Sequence, residues 1–385
     1  MVGPISINLL RVFKENNIQP PKSHAFGMTA DLVNGLLERG HEVDVFTLSP
    51  GGKEEVEFKS DSLRVFSAPT RFRMSALKLY SPEIFSLRRA LADSGKFDII
   101  HSHWLYEYSM AALTNEAPTL VTVHDWPAYV LRNDPSLVRL VKFILSKRVI
   151  PMINYASAPS GYMVEIASDV LKIRSVDLIP NALPSSMLLT EKKIQRLESD
   201  PILIAINNGF SPRKNVSTLL DAMPRVRRAV PNARLRLVGS GYGEGEDAHR
   251  YAARKRLIDG VEFVGQRGRE EVLTELTGAT AFVHPSKEES FGLVLAEAMA
   301  RQTPVIAGRN SGAVPWILED GKSGALCDVE SAEDLANTII GLLTSPERRA
   351  QYIENGLQRV KSSFLMEQMI TRFENLYERI SSAKH

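Results

Sequence analysis

A single cysteine, Cys327, in 385 residues has no partner within the chain. An internal disulfide framework is excluded, and a reducing compartment is the expectation. Neither sign of charge dominates: 47 Lys and Arg stand against 45 Asp and Glu, a net charge of +2. The basic surplus with which nucleic-acid binders hold phosphate backbones is missing, so nucleic acid is not an expected partner. No run approaches the roughly eighteen apolar residues of a membrane-spanning helix. The opening stretch MVGPISINLLRVFKENN has neither the basic start, the long apolar run nor the small-residue cleavage site of a signal peptide. A cytoplasmic chain is therefore expected. Several chemical signatures are absent too. DGKSG (320–324) contains GKS, but Trp316 and Ile317 stand where a phosphate-binding loop needs its leading glycine. GSGYGEG (239–245) places Glu244 where a dinucleotide loop has its third glycine. No Ser or Cys sits in a nucleophile elbow, and no Asp-x-Asp loop offers itself to a metal.

What is present is a repeated rhythm of strand and helix. A hydrophobic content of 44% with 24% charged residues is that of a globular protein, and the length points to two domains. In the first half HEVDVFTL (41–48), SLRVFSA (62–68), FDIIHSH (97–103), PTLVTVH (118–124) and INYASAP (153–159) read as strands, several separated by helical patterns. GMTADLVNGLLERG before the first of them reads as a helix ending at Gly40. The rhythm breaks at IPNALPSS near residue 180, and a polar, helix-like TEKKIQRLESD leads onward. It then restarts with PILIAINN (201–208), ARLRLVG (233–239), GVEFVG (260–265), TAFVHP (280–285) and TPVIAG (303–308). Strands alternating with helices predict two doubly wound parallel sheets, residues 1–182 and 183–364. Ligands of such sheets gather at the carboxyl ends of strands, and a cleft between two such domains is the default site. The polar residues at those ends include His101, His103, His124, Asn208, Gly239, Gly265, His284 and Gly308. His101 and His103 have no third ligand at a convincing spacing, so a structural or substrate-contacting role fits them better than a metal.

Two features of the second half carry chemistry. Arg213 and Lys214 lie in the loop after its first strand, just before the helix VSTLLDAMPRVRRA, where cations suit a pyrophosphate. Further on, HPSKEESFGLVLAEAMA holds Glu289 and Glu297 eight residues apart around an apolar run that suits a helix from Phe291 to Met299. Glu289 then falls at the helix entrance, where free N–H groups favour an anion or polar ligand. Glu297 lies about two turns in, on an apolar surface where an unpaired acid is expensive to bury. A capping acid followed by a salt-bridged acid is the plainer reading of such a pair.

The stretch HPSKEESFGLVLAEAMARQTPVIAGRNSGAVPWILEDGKSGAL resembles the signature of the retaining glycosyltransferases of family 4, which have the GT-B fold. The resemblance covers nearly the whole chain and is strongest from about 200 to 345. It implies two Rossmann-like domains facing a cleft, with a C-terminal helix of about 365–385 packed back on the first. It also implies transfer of a sugar from a nucleotide diphosphate sugar to an acceptor hydroxyl, with no cofactor and no metal. The acceptor would be a sugar, a lipid-linked molecule or another small molecule. Residue by residue, Glu289 would hold hydroxyls of the donor sugar and Glu297 both ribose hydroxyls. The N–H groups of Phe291, Gly292 and Leu293 would face sugar and diphosphate, and Lys214 would neutralise the leaving group. Gly239 and Val264 would border ribose and base, while His124 in TVHD would stand beside donor sugar and acceptor. Two positions depart from the pattern. Gly209 and Asn208 stand where the family carries an arginine five or six residues before the lysine, so that either Arg213 supplies that charge or phosphate is held less tightly. The double-glycine loop is reduced to Gly27 within PPKSHAFGM (20–28), and SINLLRVFKENNI before it leaves the first strand unplaced.

Two other functions fit such a chain: a nucleotide-sugar epimerase of the same fold, and a non-catalytic subunit that only binds nucleotide sugar. Product analysis with donor alone separates epimerase from transferase, and the presence together of His124, Lys214, Glu289 and Glu297 argues against a decayed site. SLVRLVKFILSKRVIPMI (136–153) interleaves Arg139, Lys142, Lys147 and Arg148 with apolar residues, and RFRMSALKLY (71–80) adds more. This predicts either peripheral contact with the inner face of a membrane or an ordinary helix with solvated lysines. His124, in turn, is either a contact for a sugar hydroxyl or a structural residue paired with Asp125.

Overall fold

The computed structural model describes residues 1–16, 18–24, 26–189 and 200–383. It forms two units, Met1–Asn181 with Met366–His385, and Ala182–Leu365. In the first unit β1 (Val43–Pro50) and β3 (Leu63–Thr70) pair in parallel, with β2 (Val56–Lys59) antiparallel along the edge of β3. A second group, β4 (Ile100–His103), β5 (Thr119–Thr122), β6 (Tyr155–Ala158) and β7 (Val176–Leu178), is parallel throughout. The chain's first three residues join the groups. Val2 N–H donates to His101 O at 2.8 Å and Val2 O accepts from His103 N at 2.9 Å, while Gly3 N–H donates to Phe46 O at 3.0 Å. Met1–Gly3 thus stands as the first strand, giving the order β2-β3-β1-Val2-β4-β5-β6-β7. SINLLRVFKENNI supplies no strand; it forms a 3-10 turn, Ile7–Leu9, and a helix, Arg11–Glu15, with Ile7, Leu10 and Phe13 buried.

Helix Gly27–Glu38 buries Leu32, Val33 and Leu36. A Cβ on its Gly35 would lie 2.1 Å from Ile370 Cδ1, so the glycine leaves room for the Ile370 side chain of the neighbouring helix, Met366–Ser382. That last helix buries Met369, Ile370, Phe373, Leu376 and Ile380, the three- and four-residue spacing of a helix with one apolar face.

The second unit holds one six-stranded parallel sheet of β8 (Ile202–Ile206), β9 (Arg234–Val238), β10 (Val261–Gly265), β11 (Ala281–His284), β12 (Val305–Gly308) and β13 (Ala325–Cys327). Its order is β10-β9-β8-β11-β12-β13. Strands β11 and β12 are buried along their whole length, as strands covered on both faces must be. Helix Val216–Ala229 lays Val216, Leu219, Leu220, Met223 and Val226 on the core. The helix-like TEKKIQRLESD falls almost entirely on residues 190–199, outside the described residues. The helix expected from Phe291 begins instead at Leu293, because Gly292 turns left-handed (φ +76°) as its N-cap. The order in the second unit reverses direction between β8 and β11. Chains leave those two strands toward opposite faces, and a crevice opens at their carboxyl ends. In the first unit the same reversal falls between Val2 and β4.

Candidate active site

In the second unit the loops after β8 and β11 meet at that crevice. Asn215, left-handed at φ +55°, ties them: its Nδ2 donates to Pro285 O at 3.1 Å and to Val329 O at 2.7 Å. Lys287 N–H adds a bond to Arg213 O at 2.9 Å. This staple brings Lys214 Nζ within 2.6 Å of Glu289 Oε1. His284 Nε2 reaches the same oxygen at 3.1 Å. Burial by itself would raise the Glu289 pKa, but the Lys214 charge and the His284 hydrogen bond hold it well below the usual carboxylate range. The acid is therefore ionised and the lysine charged. Arg213 sits 3.8 Å from Glu288, a second cation beside the first.

Glu289 stands four residues ahead of Leu293, where helix Leu293–Ala300 begins, and Ala313 N–H donates to its carbonyl at 2.8 Å. Phe291 is buried against Trp316 and Phe364, which fixes the loop whose N–H groups face the helix entrance. Glu297 lies in the second turn, half-buried between buried Ala296 and Ala298. On the other side of β8, Gly239 follows β9 with φ +130°, and a Cβ there would lie 1.7 Å from Asn207 O. Val264 in β10 bridges Gly243 of the glycine-rich turn. In that turn Gly243 N–H donates to Glu246 Oε2 at 2.7 Å, and Tyr242 is buried with its hydroxyl on Gly209 O at 3.0 Å. Gly239→Ala should lose about 1–3 kcal/mol of stability through backbone strain alone. Denaturant unfolding that matches wild type would count against this packing.

In the first unit His124, two residues past the end of β5, is 7% exposed. Its Nε2 lies 2.8 Å from His103 Nδ1, and the two rings stack. Trp104 and Phe26 flank it. Burial lowers its pKa to about 3, so the ring is neutral at physiological pH. Asp125 is not its hydrogen-bond partner but accepts from Tyr106 Oη at 2.8 Å. His101 turns away, to Tyr377 Oη at 2.7 Å and Thr122 Oγ1 at 2.6 Å. Beside His124 lies a cavity of about 360 Å³ at the reversal between Val2 and β4, walled by Pro4, Phe26, Trp104, Tyr106, Glu107, Arg139 and Lys142 among others. Lys142 lies over the Tyr106 ring at 5.0 Å and 3.4 Å from buried Glu107. Gly27 opens helix Gly27–Glu38 with Phe26 as its N-cap; Ala25 lies outside the described residues. The sequence marks His103 and His284 only as strand-end polar residues, and it singles out neither Asn215 nor Trp104. The strand-end position of His103 and His284 was the signal available for them.

A lysine, an ionised glutamate and glycine-relaxed backbone at a strand-order reversal form a site for a phosphorylated, hydroxyl-rich ligand. Residues 28–186 match Glycosyltransferase Family 4, and residues 189–359 match Glycosyl transferases group 1. The two matches together span most of the chain, which belongs to this glycosyltransferase family and has the GT-B fold. It is 25% identical over 365 residues to N-acetyl-alpha-D-glucosaminyl L-malate synthase of Bacillus anthracis, covering 90% of this chain and 91% of that one. It is 26% identical over 337 residues to phosphatidyl-myo-inositol mannosyltransferase of Mycobacterium leprae, covering 86% of each. Among solved structures, sucrose-phosphate synthase from Thermosynechococcus elongatus superposes with a TM-score of 0.78 at 22% identity over 99% of both chains.

Proposed function

We propose that this glycosyltransferase takes its sugar from a nucleotide diphosphate sugar bound by the second unit and passes it, with retention and without a divalent cation, to a hydroxyl of an acceptor seated in the first unit's cavity. The observation that carries the reading is the Lys214–Glu289–His284 cluster at the strand-order reversal. A departing diphosphate gathers negative charge, and preorganised cations and N–H groups aimed at it lower the barrier. Lys214 has two donors left beyond Glu289, and Arg213 and the N–H groups of Phe291, Gly292 and Leu293 add to it. These supply the positive charge that a metal ion would otherwise bring. Glu289 accepts from donor-sugar hydroxyls and Glu297 from the ribose; Gly239 and Val264 border ribose and base. The leaving phosphate takes the acceptor's proton, and the new bond forms on the face the old one leaves. His124 accepts a sugar hydroxyl.

The relatives' names differ in sugar and in acceptor, so the choice of acceptor rests with the cavity wall. UDP-, GDP- and ADP-sugars offered with sugar, polyol and lipid-linked acceptors should yield a product of unchanged anomeric configuration by proton NMR, equally in EDTA. An inverted product, or activity lost in EDTA and restored by magnesium, overturns the mechanism. Donor converted without acceptor would mark an epimerase.

One surface favours a lipid-borne acceptor. No helix among the described residues is long and apolar enough to cross a membrane, yet the first unit exposes Phe85 (66%), Leu77 (63%), Met74 (56%), Leu140 and Ile144. Exposed Arg71, Arg73, Lys78, Lys147 and Arg148 accompany them on the same helices or next to them. Apolar side chains set among cations suit an anionic bilayer surface. The protein should co-sediment with anionic but not neutral vesicles at low salt, and a Leu77→Glu, Phe85→Glu variant should lose that binding. Equal binding to both vesicle types would end the idea.

A further inference from the structure

With both rings kept neutral by burial, the ring nitrogens of His103 and His124 leave a single consistent placement of protons. His103 Nε2 lies 3.0 Å from Met1 Sδ, and a thioether sulfur accepts hydrogen bonds but has none to give. The proton of His103 therefore sits on Nε2, and its Nδ1 carries a lone pair. That lone pair faces His124 Nε2 at 2.8 Å, so His124 supplies the proton from Nε2. The reverse assignment would set two lone pairs, nitrogen and sulfur, against each other. Protonating both rings would set two N–H groups against each other. What remains is His124 Nδ1, bare of hydrogen and with no hydrogen-bond partner among the described residues.

We propose that His103 is a positioning residue that, backed by the Met1 thioether, locks His124 in the tautomer protonated at Nε2, so that His124 offers substrate only a hydrogen-bond acceptor at Nδ1. The inference rests on the reading above, in which His124 touches a sugar hydroxyl. Its surroundings serve the lock. Gly3 lies against the His103 ring so closely that a Cβ would stand 3.0 Å from His103 Cβ and 3.2 Å from Cδ2. The His101 ring lies against it too, tilted, with centroids 4.3 Å apart. Trp104 at 4.4 Å and Phe26 at 5.8 Å hold the His124 ring. An acceptor-only nitrogen welcomes a hydroxyl and repels a carbonyl or carboxylate oxygen, so the lock is a filter on which substrate group can sit there.

Long-range proton–nitrogen NMR of the full chain labelled with 15N-histidine reads the tautomer without any turnover. The expected spectrum has His124 Nε2 protonated and Nδ1 unprotonated. His103→Phe, which keeps a stacking ring but accepts nothing, should release His124 into a mixture of tautomers. Its kcat should fall about tenfold with the donor KM unchanged, the scale of one hydrogen bond's bias. His103→Gln, whose side-chain oxygen accepts from Nε2, should restore most of the tautomer and of kcat. A wild-type His124 protonated at Nδ1 overturns the proposal, as does a folded His103→Phe protein with wild-type kcat. Should His103→Phe fail to fold, the wild-type and His103→Gln spectra still decide. If the tautomer is as expected and His124→Ala turns over normally, the catalytic reading of His124 fails and the lock stands.

Discussion

Lys214→Ala lowers kcat by about 10²–10³-fold, the effect of removing one preorganised group aimed at developing charge. On the proposed mechanism the lysine works through position: 2.6 Å from Glu289, in a loop tied by Asn215, it stands ready for the leaving diphosphate. The substitution has a second signature. Glu289 is held ionised well below its ordinary value of 4.5, against burial, by the Lys214 charge and the His284 hydrogen bond. A depressed carboxylate contributes stability that is fully present above its unfolded pKa and is lost as pH falls through the folded one. Lys214→Ala removes that contribution, so wild type and variant should differ most in melting temperature at pH 7 and converge as pH falls below about 4.5. A variant within about threefold of wild-type kcat, less than 1 kcal/mol in the barrier, would remove Lys214 from the mechanism.

His124→Ala lowers kcat about 10²-fold, as expected for a lost positioned contact, while nucleoside diphosphate affinity and folding at pH 7 are kept. Calorimetry and thermal unfolding check those two constants. Burial lowers His124 to about 3, and burial foremost puts His101 and His103 well below the ordinary 6.5. Between those values the unfolded chain binds protons that the folded chain refuses. Stability is thus complete above 6.5 and falls as pH drops below it, and His124→Ala should flatten that slope by one histidine's share. Because the ring stays neutral, no step in kcat near pH 6.5 belongs to it. Such a step, present in wild type and absent in the variant, would show that His124 is a titrating base.

Most of the second unit could be read from the chain because its strands are short apolar runs bounded by turn residues, and each signal is local. β8 through β12 fall within the stretches predicted for them. The acid pair of HPSKEESFGLVLAEAMA was legible for the same reason: two charges bracketing an apolar helix break a pattern. Gly292 shifted the start of that helix by two residues, since propensity favours continuation and a left-handed cap is a backbone choice. What stayed hidden depends on distant residues. Val2 is strand-like only because His101 and His103 bond to it on one side while Phe46 bonds to its neighbours Met1 and Gly3 on the other, and three residues cannot show a period of two. β2, β7 and β13, three or four residues each, have the same weakness. His103 and His284 could be marked as strand-end polar residues, but their partners lie 21 and 5 positions away in sequence. Only the fold pairs them.

The second unit begins and ends at one place: Leu183 N–H donates to Phe364 O at 2.9 Å, and Leu183 bridges Leu365. The first unit resumes at Met366. Residues 182–365 are therefore an insertion in another domain's chain, with both ends fastened to each other by a strand-like clasp. Segments of that kind tolerate transplantation, because joining them requires two neighbouring junctions and leaves their own core intact. Exchange of this cassette would replace the crevice between β8 and β11 as a whole while leaving the first unit's own core and cavity intact.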